Sequence, residues 1–221
     1  MQKLIIFFLL ILSSISYAQD FDKLADAVVN KDLVKLDSLI KSGIDVNIGD
    51  EDKGATVLLI ASSFKGYEEI VQFLISNGAN VNYKAKDGKT PLMLAAGTSF
   101  ETTKLLIENG ADVNAKAEDG MTAFIQSTFG ILSKKVSTDV MDLLLEKGAD
   151  VNSELSSKDA GGWTALLFAT INGDKDLVKF LILHGANINH TSDDGVTALS
   201  LAKQESFTSL VKLLKKQGAL E

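Results

Sequence analysis

Residues 162–189 read GWTALLFATINGDKDLVKFLILHGANIN, and this stretch decides the fold. Its first apolar run, Leu166, Leu167, Phe168 and Ala169, gives way to the polar turn Asn172-Gly173-Asp174. A second run, Leu177, Val178, Phe180, Leu181 and Ile182, recurs at helical spacing and stops at Gly185. The spacing predicts two short helices joined by a tight turn, because side chains three and four apart share one helix face. A glycine just past the second run is free to take the positive φ that closes a helix.

The same pattern recurs along the chain. A G-x-T opening stands at Gly54-Thr56, Gly88-Thr90, Gly120-Thr122, Gly162-Thr164 and Gly195-Thr197. The closing glycine stands at Gly43, Gly78, Gly110, Gly148, Gly185 and Gly218, usually followed by Ala and then Asp or Asn. We read six copies at spacings mostly near 33 residues: about 20–53, 54–87, 88–119, 120–161, 162–194 and 195–221. A unit this short cannot bury its apolar face alone, so the copies must stack. The first copy lacks the opening; Leu24, Ala27 and Val28 suit one helix, and Leu33, Leu36, Leu39 and Ile40 the next. Lysines and aspartates on the other side give it the polar outer face of a cap. The last copy finishes with Lys212, Lys215 and Lys216, which suit a helix C-terminus.

Short polar links, IGDEDKG, YKAKDG and AKAEDG, separate the early copies and end in Asp-Gly or Lys-Gly. They read as extended arms meeting at a tight turn. The Thr after each Gly would cap the following helix, with Pro91 at a first helical position, where its missing N–H costs least.

Residues 88–96, GKTPLMLAA, and 104–114, KLLIENGADVN, resemble an ankyrin repeat, and the resemblance extends over residues 19–221. It implies an all-α solenoid of about six helix-turn-helix repeats with β-hairpin fingers. Fingers and first helices would together form a concave groove. Where that family often has His, this chain has Leu59, Met93, Ile125, Leu167 and Ser200, which implies apolar packing in place of a polar bond between repeats.

The fourth copy is irregular. Thr122 to Gly148 spans 26 positions, against 20 in the third copy and 21 in the fifth and sixth. The extra residues fall within 129–138, expected between its two helices. The following link is long too: Asn152 to Thr164 spans 12 positions where three other links span 8. Surface loops absorb insertions cheaply, so these are either tolerated additions or the place where a partner fits.

The chain begins with Lys3, the unbroken apolar run Leu4–Leu12, and Ser16-Tyr17-Ala18. These predict a bacterial-type secretory signal peptide over residues 1–18, cleaved to leave Gln19 first. The run falls well short of the roughly 20 apolar residues that span a bilayer, so no stable membrane insertion is expected after cleavage. Export to the periplasm, or alternatively to the extracellular space, follows. Absence of cysteine excludes disulfides and a lipid-modified cysteine. Removing Lys3 takes the formal net charge from −7 to −8, and no Arg occurs anywhere. Such a chain is poorly suited to nucleic acid.

Two histidines, His184 and His190, cannot assemble zinc spacing. No G-x-S-x-G elbow or Gly-rich phosphate loop is present, and the acidic turns at Asp50-Glu51-Asp52 and Asp193-Asp194 do not fit an EF-hand. We therefore expect no enzyme activity, no cofactor and no metal. What remains is surface. The resemblance places the residue between Gly and Thr on the groove: Ala55, Lys89, Met121, Trp163 and Val196. It also places there the pair just after the first helix, including Phe64, Phe129 and Ile171. The candidate partner-binding residues are Trp163, Met121, Val196, Phe129 and Ile171, with Lys89 steering. Trp163 could equally pack its own finger against the next. The expected function is that of a monomeric module binding a protein partner, as an inhibitor or immunity-type protein or an accessory factor for a periplasmic enzyme. A passive spacer in the cell envelope is the alternative.

Overall fold

The computed structural model describes residues 18–220. The leader expected over residues 1–18 lies outside them, apart from Ala18. Among the described residues the chain forms helices in six antiparallel pairs and no strand. The first pair is α1 (18–29) and α2 (Leu33–Lys41). Then follow α3 (Val57–Ser62) with α4 (Glu68–Ser76), and α5 (Pro91–Ala96) with α6 (Phe100–Glu108). The remaining pairs are α7 (Ala123–Leu132) with α8 (Asp139–Glu146), α9 (Ala165–Ile171) with α10 (Lys175–Leu183), and α11 (Ala198–Gln204) with α12 (Thr208–Lys216). No helix among the described residues is long and apolar enough to cross a membrane.

Sequence chemistry starts each first helix. Thr56, Thr90, Thr122 and Thr197 sit at N-cap positions and accept the N–H three residues on, at 3.4, 3.4, 3.2 and 3.1 Å. Each satisfies a donor that the helix leaves unpaired. Thr164 holds the same position without that bond. Pro91 is at the start of α5, as its spacing predicts. Second helices bury one stripe each, such as Ile70, Val71 and Leu74 in α4 or Val140, Met141 and Leu144 in α8. These stripes join the first helices in one apolar core that runs from Leu24 to Leu214.

Two hydrogen-bonded ladders tie repeat to repeat. One runs along the fingers, the links 48–55, 83–89, 115–121, 153–163 and 190–196, numbered two to six after the repeats they lead into. Lys86, Glu118, Ser156 and Asp193 donate backbone N–H groups to Lys53, Asp87, Asp119 and Gly161 of the preceding finger, at 2.8–3.1 Å. Fingers two, five and six close on single antiparallel bridges, Gly49 with Thr56, Glu154 with Thr164 and Thr191 with Thr197. The arms are too short to build more. Gly120 shows why the turn needs glycine: its φ is +82°, and an added Cβ would lie 2.5 Å from Ser156 N on the next finger.

The other ladder is made by asparagines. Asn47, Asn82, Asn114, Asn152 and Asn189 each donate Nδ2 to the carbonyl of the next closing glycine, Gly78, Gly110, Gly148, Gly185 and Gly218. Their Oδ1 atoms accept the backbone N–H of Asn80, Asp112, Asp150, Asn187 and Leu220. Every repeat boundary carries one such two-handed bridge. It satisfies a carbonyl and an N–H of the turn just beyond each second helix.

Repeat four departs from expectation. Its extra residues do not all form a loop between the helices: α7 runs to Leu132 and is 10 residues long, against 6 in α3 and α5. Phe129 and Gly130 are therefore helical, and only 133–138 connect to α8. The added turn can form because Gly130 lets α7 lie against Gly97 at the end of α5. A Cβ on Gly130 would fall 2.7 Å from Gly97 O. Ile171 likewise ends α9 rather than following it.

Candidate partner-binding groove

The residue between Gly and Thr occupies one equivalent place in every finger. Ala55, Lys89, Met121, Trp163 and Val196 each accept at their carbonyl a finger N–H, from Asp50, Ala85, Ala117, Leu155 and Ser192 respectively. The expected alignment of these five along one edge is thus set by backbone geometry. Their side chains fare differently.

Trp163 is half-buried and rests on Phe168 of its own first helix, with ring centroids 5.0 Å apart and planes at 45°. Phe168 in turn meets Phe129 of repeat four at 4.8 Å and 62°, an edge-on contact. Three half-buried rings thereby join repeats four and five. Ile171, 37% exposed, lies one helical turn beyond Phe168. Trp163 thus packs on its own first helix. Met121 is set apart from this cluster and packs on Met93, Ala115 and Ala117. That contact is the apolar substitute for a polar bond between repeats three and four. Val196 is half-buried against the main core. Phe64, 48% exposed, stacks on Tyr67 at 5.2 Å.

Lys89 lies further toward the N-terminus, 2.8 Å from Asp87. Burial pushes the Asp87 carboxyl up, but the hydrogen bonds and charge of Lys89 outweigh this and hold it below the ordinary range. Lys89 also lines a cleft of about 770 Å³ between fingers two and three. Leu59 and Leu94 form the floor of this cleft, and Lys86 and Glu118 stand at its rim.

The acidic turn at Asp50 has a structural task. Its carboxylate accepts the N–H groups of Asp52, Lys53 and Ala55 at 2.9, 2.6 and 2.7 Å. Burial pushes this carboxyl up, but those backbone donors and the Lys53 charge together hold it below the usual aspartate value. The histidines also serve the scaffold. His184 Nδ1 lies 2.8 Å from Phe180 O, and His190 Nε2 lies 2.6 Å from Gly162 O.

Sequence reasoning missed Phe168 and Leu94 as groove residues. Phe168 and Leu94 fall four residues after the capping Thr, beside Ile60 and Gln126 at the same place. All four are half-buried while the residues before them are buried, so this position faces the groove. The signal was that Gln126 breaks an otherwise apolar column.

A stack of short helix pairs, with finger turns along one edge and no strand in the described part, defines a linear helical-repeat solenoid. The family model "Ankyrin repeats (3 copies)" matches residues 24–117, 64–154 and 131–220. The chain belongs to the ankyrin repeat family, whose repeats generally mediate protein–protein interaction and are typically non-catalytic. It is 26% identical over 199 residues to human SH3 and multiple ankyrin repeat domains protein 2, covering 89% of this chain and 10% of that protein. It is 34% identical over 80 residues to human M-phase phosphoprotein 8, covering 36% of this chain and 9% of that protein. A mouse protein, fibronectin type 3 and ankyrin repeat domains 1, is 45% identical over 51 residues, covering 23% of this chain and 15% of that one. The chain thus matches only a small part of these relatives' length.

Proposed function

We propose that the protein is exported and binds a protein partner in its concave groove, without chemistry of its own. In this reading it inhibits or assists an enzyme of the periplasm. The observation that carries the proposal is the half-buried cluster of Trp163, Phe168 and Phe129 beside exposed Ile171. Large side chains held rigid by one another, yet open to solvent on one side, are what interfaces use as anchors. Met121 and Val196 would flank the anchor, and Lys89 would steer approach. Retention of residues 1–18 in the intact mass of protein from its native host would refute export by cleavage.

The binding test begins with a partner captured on the full chain and continues with variants measured against it. Trp163→Ala should weaken affinity by about 2 kcal/mol or more, the range of an interface anchor. Melting temperature measured in parallel separates folding from recognition. Unchanged affinity with a lowered melting temperature would make the cluster internal packing and favour the passive spacer.

A further inference from the structure

The finger ladder does more than join repeats, because it fixes which side chains stand in line. Lys86, Glu118, Ser156 and Asp193 occupy its equivalent donor positions. Lys86 and Glu118 both line the cleft above Leu59 and Leu94, so this row faces the groove. Beside it runs the row Lys89, Met121, Trp163 and Val196. Read together along the array, the groove edge carries Lys86 and the Lys89–Asp87 ion pair at finger three, a net positive charge, and Glu118 with Met121 at finger four. Ser156 with Trp163 follow at finger five, and Asp193 with Val196 at finger six.

The sign of the charge therefore reverses between repeats three and four. Lys86 Nζ is tethered to the Glu51 carbonyl, which orients the cation without neutralising it. No lysine pairs with the carboxylate of Glu118 or Asp193 among the described residues. A partner of uniform charge would meet like charge at one end of this edge, which is unfavourable at an interface.

We infer that the partner offers this groove an extended segment whose charge changes sign along its length. It is acidic over finger three and basic over fingers four to six, with an apolar residue seated on Trp163 and Phe168. The inference rests on the reading of the groove as a protein-binding surface. Packed helices lie about 8–10 Å apart, so fingers three to six span on the order of 25–30 Å. That is the reach of about eight or nine extended residues.

Two fluorescein-labelled peptides of about twelve residues, long enough for this span, test the inference on the full chain. One has an acidic block, a Leu-Trp centre and a basic block; the other has the same composition with its charges alternating. Anisotropy titrations at low salt should show the block peptide binding about tenfold tighter, with the advantage shrinking as salt rises. Lys86→Glu combined with Lys89→Glu should weaken the block peptide by about tenfold and improve binding of a peptide basic at both ends. Glu118→Lys tests the opposite end independently, and melting curves check that each variant folds. Equal binding of block and alternating peptides, both weakened by Trp163→Ala, would overturn the charge pattern while leaving the groove reading intact. Binding of neither peptide, or binding that ignores both the charge swaps and Trp163→Ala, would overturn both.

Discussion

Gly130→Ala sets two effects of similar size against each other. Gly130 lies inside α7, where replacing glycine with alanine should stabilise the helix by about 1 kcal/mol. Against this, the new Cβ would stand 2.7 Å from Gly97 O, 2.8 Å from Gly97 Cα and 2.8 Å from Val136 Cγ2. Two of those atoms are backbone, so no side-chain rotation relieves the overlap. Either α5 and α7 move apart or α7 loses its last turn. Overpacking of this kind costs about 1–3 kcal/mol, so the net effect should be a loss of about 1 kcal/mol. In a chain of this size that corresponds to roughly 2–4 °C in melting temperature. Urea unfolding followed by circular dichroism measures it from the midpoint and slope. A variant more stable than the parent by about 1 kcal/mol would show that helix propensity alone governs the site, and that Gly130 has nothing to do with the close approach to Gly97.

Other expectations probe the ladders and the stacking. Asn114→Ala removes the bonds to Gly148 O and Asp150 N, 2.8 and 3.1 Å long, and should cost about 1–2 kcal/mol at about 1 kcal/mol per bond; no change in the urea midpoint would make the asparagine bridge decorative. Deleting 195–221 uncovers Leu166 and Leu181, now 2% and 0% exposed, and should lower the melting temperature and promote association. A monomeric truncation with an unchanged melting curve would contradict stacking as the source of stability. Asp50 has its carboxyl held below the usual aspartate value in the folded state, so its contribution is fully present above pH about 4 and fades as pH falls through the folded pKa. The stability gap between the parent and Asp50→Ala should accordingly be open near neutrality and close in acid. A gap that stays constant down to pH about 2 would mean that the charge is not what matters.

Much of the fold was legible because the repeat states each rule several times over. Closing glycines, apolar stripes at helical spacing and the Thr caps of four of the five G-x-T openings fell where the sequence places them. The misreading of repeat four is instructive. Spacing alone put the extra residues, Gly130 among them, between the helices, and glycine ordinarily interrupts a helix. Gly130 is helical because a neighbouring glycine, Gly97, sits across from it, and such a pairing between distant positions leaves no local mark in sequence. The groove was legible in outline only. Spacing placed Met121, Trp163 and Val196 on equivalent sites, but not the contacts that differ among them. Met121 reaches Met93, while Trp163 reaches Phe168, and both outcomes depend on which side chains the adjacent helix presents. The asparagines were visible as the last letters of each repeat, yet their bonds cross to the next repeat and no single unit reveals them.

Those bridges have a consequence for how such an array can change over generations. Each asparagine addresses only main-chain groups of its successor: a glycine carbonyl and an N–H two residues further on. The finger ladder likewise joins main chain to main chain. Both couplings are indifferent to the side chains of the unit being joined. A repeat could be duplicated, lost or exchanged while its replacement docks through the same contacts. Groove side chains that take no part in repeat-to-repeat packing, such as Lys89, can then diversify in sequence without the scaffold having to be reinvented.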